Sequence, residues 1–194
     1  LVGISAHGPF ALYSHGVMPV LRIELSNTQN FNTLIEEAVT ESGWQYRQET
    51  LGDVNLKLWD IHDEEAKTKL SIAMGTHGNT LIISLISSLD DAQEKQQRFG
   101  LIKPAQSLAD SKELSQIQST YQFTDDFVGF INFQRLSEGF LAPDSNSFGK
   151  QLLRYLPADL DKEFNAELTD ACRKDFSNIF AAMPRLVMGY ETLH

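Results

Sequence analysis

The chain of 194 residues carries 16 Lys and Arg against 26 Asp and Glu, a formal net charge of −10. That balance excludes a non-specific nucleic-acid binder, which needs surplus cations for phosphates, and it opposes electrostatic attraction to anionic lipid. A hydrophobic share of 42% suits a soluble globular protein with a sizeable core, and no apolar run approaches the roughly 20 residues that cross a bilayer.

Residues 1–6 and 9–14 read as short strands separated by His7-Gly8. Residues 18–25 follow, with Leu21, Ile23 and Leu25 alternating with Arg22 and Glu24, so the three strands suggest a meander. Ser26-Asn27-Thr28-Gln29 has the shape of a capping box, and Phe31, Leu34, Ile35, Ala38 and Val39 mark one helical face ended by Gly43. Residues 44–50 and 54–61 flank Gly52-Asp53 as a hairpin, and His62-Asp63-Glu64-Glu65 makes a charged loop.

The organising stretch is KLSIAMG (69–75), THGN (76–79) and TLIISLI (80–86). Gly78 and Asn79 supply a tight turn, and Leu70, Ile72 and Met74 read as the buried face of the first strand. The second strand is apolar on both faces except at Ser84, which places this hairpin in the middle of a sheet.

Residues 88–99 read as a helix with Asp90 and Asp91 in its first turn and Gly100 at its end. Lys103-Pro104 breaks the chain, and Asp110 with Glu113 caps a helix through Leu114, Ile117 and Tyr121. FVGFINF (127–133) is a second doubly apolar strand, expected beside the central hairpin, with Gly129 marking a bulge or a close packing contact. Short helical pieces are expected around 136–140 and 149–156, with 142–149 as the most loop-like stretch and the linker candidate. From Leu160 the apolar positions 164, 168, 172, 176, 179, 180 and 183 predict a long helix stopped by Pro184. Leu186, Met188 and Tyr190 form a last strand.

These signals give an α+β fold: a largely antiparallel sheet of about seven to nine strands with helices on at least one face. Residues 1–194 read as a single domain with sub-units 1–100, strand-rich, and 101–194, helix-rich. Blocks 1–43 and 44–100 each run strands and then a helix, which hints at a duplicated plan. An opening at Leu1 without Met reads as a piece of a longer chain.

Chemical constellations are sparse. His7-Gly8, His15-Gly16 and His77-Gly78 would make a metal site if they converged, but His7 and His15 sit at opposite ends of an expected strand, about 26 Å apart. Asp60, His62, Asp63, Glu64 and Glu65 cluster without the ladder of a calcium loop. Asp125-Asp126 has no identifiable acid partner, and Gly3-Ile4-Ser5-Ala6-His7 lacks the closing glycine and the following helix of a nucleophile elbow. KQQR (95–98) is a small basic spot on a helix. Phe123, Phe127, Phe130 and Phe133 either line an apolar cavity or fill a core, and Cys172, on a helical apolar stripe, reads as a small core residue. No catalytic, cofactor-binding or metal residue is assigned, and no cofactor is implied.

Four stretches are read together: Gly16-Val17-Met18-Pro19-Val20-Leu21-Arg22 before a helix, Gly100 with Leu108-Ala109, the strand at 127–133, and Cys172-Arg173 before Met183-Pro184-Arg185-Leu186. Together they resemble a family of large uncharacterised bacterial cell-envelope proteins with no established activity. The resemblance implies an N-terminal anchor or export signal in the parent chain and residence in the envelope or periplasm. It transfers no site residue. The function expected is a non-catalytic interaction or scaffold module with a protein partner. The alternatives are a carrier holding an apolar, lipid-like ligand between the sheet and the helix of residues 160–183, or a hydrolase whose site the sequence does not display.

Overall fold

A computed structural model describes residues 2–61, 68–105, 107–155 and 169–191. The backbone divides into two compact units, Leu1–Lys103 and Pro104–His194. The protein is α+β, with antiparallel strands in a six-stranded and a two-stranded sheet.

The first unit contains β1 (Phe10–His15), β2 (Met18–Glu24), α1 (Thr28–Ser42), β3 (Arg47–Leu51), β4 (Val54–Ile61), β5 (Leu70–His77), β6 (Thr80–Ser87) and α2 (Ala92–Arg98). The sheet order is β1-β2-β6-β5-β4-β3. The β5–β6 hairpin is therefore the centre of the sheet, as its doubly apolar second strand predicts. It pairs without slippage from Leu70↔Ser87 to His77↔Thr80, and Gly78 takes the φ of 58° that its turn requires.

Both faces of this sheet are covered in part. On one face Val20, Val54, Leu56, Leu58, Ala73, Ile82 and Ile86 pack with Phe99 at the end of α2. On the other, Phe31 and Ile35 of α1 meet Leu25, Leu81, Ile23, Met74 and Ile83. The side chain of Asn27 caps α1 by accepting from the Asn30 N–H at 2.8 Å, so the cap is a single Asx bond. Gly43 closes the helix in the left-handed region at φ 69°.

Three expectations are corrected in this unit. The buried face of β5 is Ser71, Ala73 and Gly75, whereas Ile72 is 40% exposed. Small residues win there because the large side chains of β4 and β6 already fill that layer, and a Cβ at Gly75 would strike Leu56 and Val54. Residues 2–6 form no strand; the isolated bridge Ile4↔Leu25 and the Ser5 N–H bond to the Glu24 carbonyl join them to the sheet. The helix predicted over 88–99 starts at Ala92, capped by Asp91 in a capping box with Glu94, which releases Asp90 from the first turn.

The second unit contains α3 (Leu108–Ser111), α4 (Glu113–Tyr121), β7 (Phe123–Asn132), α5 (Phe133–Leu141), a 3₁₀ turn (Pro143–Ser145), α6 (Ser147–Tyr155), α7 (Asp170–Ala182) and β8 (Arg185–Glu191). Asp110 does not cap α4: Ser107 caps α3 by accepting from the Asp110 N–H, and α4 starts after Lys112, at φ 55°, without a side-chain cap bond. The stretch 142–149 is a 3₁₀ turn leading into α6, not a linker. Gly149 lies against the carbonyls of Pro143 and Gly139, where a Cβ would collide. The expected helix from Leu160 is described from Asp170 onward; residues 160–168 lie outside the described set.

The largest correction concerns β7. The doubly apolar strand pairs with β8 in the two-stranded sheet rather than beside β5–β6. Its register irregularity falls between Phe123 and Val128, ahead of Gly129, and the close backbone contact is at Gly189, where a Cβ would run into the Phe123 ring.

Candidate functional site

Ionisable side chains of the first unit converge beneath α2. Because Asp91 takes the capping role, Asp90 turns inward and accepts from the Ser87 N–H at 2.7 Å and from Arg98 Nη1 at 2.6 Å. Both side chains of this pair are fully buried. Arg98 also donates to the Leu85 carbonyl at 3.0 Å, and its own carbonyl accepts from Arg22 Nη2 at 3.0 Å. Arg22 Nε donates to the Tyr13 hydroxyl at 2.8 Å. The imidazole of His15 shares a 3.1 Å hydrogen bond with the Gln97 side chain. Burial, with the Arg98 charge second, holds the His15 pKa below its ordinary value.

This network is structural in character. An ion pair shut away from solvent fixes how α2 sits on the sheet but presents no group to a substrate. It also removes the expected basic spot at 95–98: Lys95 pairs with Glu49 at 3.0 Å, and Arg98 is buried. Partial burial pushes the Glu49 pKa up, but the hydrogen bonds and charges of Lys95 and Arg47 outweigh it and leave the carboxyl below its usual range. Lys57, 3.1 Å from Glu36, lowers the pKa of that carboxyl through their hydrogen bond, with help from Tyr46.

Other sequence candidates are dispersed. His7 is exposed and His77 half-buried at the end of β5, and the described residues hold no group of three or more His, Cys, Asp or Glu placed to ligate a metal. Asp60 accepts from Ser71 at 2.6 Å and pairs with Arg47 at 3.1 Å, while residues 62–65 lie outside the described set. Asp125 accepts from Gln118, and Asp126 from Thr124 at 3.0 Å. Ser5 lies in the segment tied to β2 through its N–H to the Glu24 carbonyl, with no helix after it. A polar crevice of about 380 Å³ opens between α1 and strands β3–β5, with Asn32, Gln48, Asn55 and Lys57 on its walls.

The four phenylalanines belong to the second unit and are spent on packing. Phe123 stacks on Tyr121, Phe127 meets Tyr190, and Phe133 meets Phe180 of α7, at centroid separations of 5.6, 5.8 and 6.3 Å. Phe130 is half-buried, paired across the ladder with Val187. Cys172 is exposed, contrary to the core position its stripe implies. The side of α7 that faces α5 carries Phe180 and Arg173, whose Nη1 donates to the Leu141 carbonyl at 2.8 Å. The row of Cys172, Phe176, Ile179 and Met183 turns outward instead.

Among the described residues the β7–β8 ribbon carries an exposed apolar row. Register pairs Gly129 with Met188 and Ile131 with Leu186, and the Phe127–Tyr190 ring contact extends that row. These side chains share one face because successive residues of a strand alternate. Ile131, Leu186, Met188 and Tyr190 are 39%, 46%, 41% and 63% exposed. They amount to an apolar patch on the order of a few hundred Å², the size at which exposed apolar surface marks an interaction site. On the opposite face Val128, Phe130 and Val187 are half-buried, and Asn132 of the same parity donates to Glu113 of α4 at 3.3 Å.

In sequence this surface reads as core, because a run apolar on both sides signals two covered faces. The signal against it is weak: Arg185 at the start of β8 and Glu191 at its end, around a strand of only seven residues. The chain matches no family model and no curated protein.

Proposed function

We propose that this chain is a non-catalytic interaction module of a larger bacterial cell-envelope protein, and that the outward face of the β7–β8 ribbon meets an apolar surface on a protein partner. The supporting observation is the continuous row of Ile131, Leu186, Met188 and Tyr190, left open on a two-stranded sheet. A two-stranded ribbon with one bare apolar face is marginal in water, and cover from a partner removes that cost. The resemblance to envelope proteins supports the compartment.

A photoreactive residue at Met188, with a second at exposed Glu41 as control, tests this in cells that make the parent protein. One defined protein adduct at Met188, absent at Glu41 and abolished by Leu186→Asp, is the expected result. Equal labelling at both positions, or an adduct indifferent to Leu186→Asp, contradicts it. Native mass spectrometry separates the carrier reading: a co-purifying lipid mass would replace docking with ligand carriage.

A further inference from the structure

The two ends of the six-stranded sheet are built differently. At one end β3 is short and laced with charge: Arg47 pairs with Asp60 at 3.1 Å and Glu49 with Lys95 at 3.0 Å. Charged side chains on an edge discourage an incoming strand. At the other end β1 reads FALYSH, with no charged residue, proline or glycine. It pairs evenly with β2 from Phe10↔Ile23 to His15↔Met18, and among the described residues no strand pairs with its outer side.

Backbone parity identifies which groups point outward. Gly16 and Val17 are a two-residue hairpin loop, so His15 and Met18 close it as a hydrogen-bonded pair. His15, Tyr13 and Ala11 then direct their N–H and C=O groups to β2. The Pro9 carbonyl, which accepts from the Glu24 N–H at 3.2 Å, keeps the same parity. Phe10, Leu12 and Ser14 therefore turn their backbone groups to the open edge. Phe10 and Leu12 also share one sheet face, where they are 62% and 72% exposed. Open hydrogen-bonding groups and bare apolar side chains thus belong to the same residues.

We propose that β1 pairs antiparallel with β1 of a second copy of this chain, about a two-fold axis through Leu12, joining the two sheets into one. Such a pairing must match outward groups with outward groups and keep each face continuous. Centring it on Leu12 sets Phe10 of each copy opposite Ser14 of the other, and the outward residues exchange about six backbone hydrogen bonds. Leu12 then meets its own counterpart, with Phe10 diagonal to it, so the apolar pair covers itself. No like charges meet, because the strand carries none. One strand pair buries less than the roughly 1,600 Å² of a standard stable interface, so the dimer is reversible and concentration-dependent.

Sedimentation velocity of the 194-residue chain over a wide concentration range tests this, alongside Leu12→Cys in a Cys172→Ser background. Opposed residues of a hydrogen-bonded pair lie about 5.5 Å apart at Cα, within disulfide reach. The expected result is a monomer–dimer equilibrium weakened tenfold or more by Leu12→Lys and unchanged by Leu34→Lys on α1. Mild oxidation links Leu12→Cys chains and leaves Leu34→Cys chains single, and circular dichroism confirms that each variant keeps the fold. A monomer at every concentration without Leu12→Cys linkage overturns the proposal. So does a dimer indifferent to Leu12→Lys, or association of β1 only with an extended segment of another protein.

Discussion

At the scale of single residues, the buried pair Asp90–Arg98 carries the sharpest expectation. Two charges with no exposed side-chain surface hold each other in place, and removing one leaves the other uncompensated. Arg98→Met should cost about 3–5 kcal/mol in chemical denaturation. A loss within the range of an ordinary surface substitution would show that water reaches Asp90. His15 makes the adjoining pH test. Its folded pKa lies below the ordinary 6.5, so protonation favours the unfolded chain. Stability is full above pH 6.5 and declines as pH falls through that value toward the folded pKa. The lowered carboxyls of Glu36 and Glu49 withdraw their contribution only below about pH 4.5, which keeps the windows apart. Urea midpoints at pH 7.5 and 5.5 should therefore differ more for the natural chain than for His15→Gln; equal differences would remove His15 from the effect.

At the scale of elements, legibility follows how local each cause is. Gly43 announces the end of α1 because a left-handed cap needs no information beyond the turn itself. The helix should lose about 1 kcal/mol on Gly43→Ala, where no neighbour lies within 4 Å and only backbone strain acts. Leu56 tests packing in the same unit: at 1% exposure in the main core, Leu56→Ala should cost about 2–5 kcal/mol by denaturation. A change under 1 kcal/mol would mean that this layer is loosely filled. Central position in the sheet was also readable, since β6 is oily on both faces and does lie inside the sheet. The same rule misplaced β7, because apolar character records what a strand needs covered and not what covers it. Ile72 failed for a related reason: alternation identifies two faces of β5 but not which one receives the larger neighbours. Cys172 and Phe176 likewise mark a true stripe on α7, while packing through Phe180 turns that stripe outward. Asp90 could not be read, since its burial depends on which of two adjacent aspartates caps α2.

At the scale of the whole molecule, cover is distributed unevenly. The six-stranded sheet has helices on both faces and its most buried residues in strands β2, β4, β5 and β6, whereas the β7–β8 ribbon keeps one apolar face open. Among the described residues no helix is long and apolar enough to cross a membrane. The exposed ribbon face and the uncharged β1 edge are the two proposed contact features, one a face and the other an edge. Residue-resolved hydrogen exchange of the isolated chain tests this distribution most directly. Amides of β5 and β6 should exchange slowest, and those of β7 and β8 at least tenfold faster. Ribbon amides as protected as the central hairpin would contradict the proposal that β7–β8 is a docking surface.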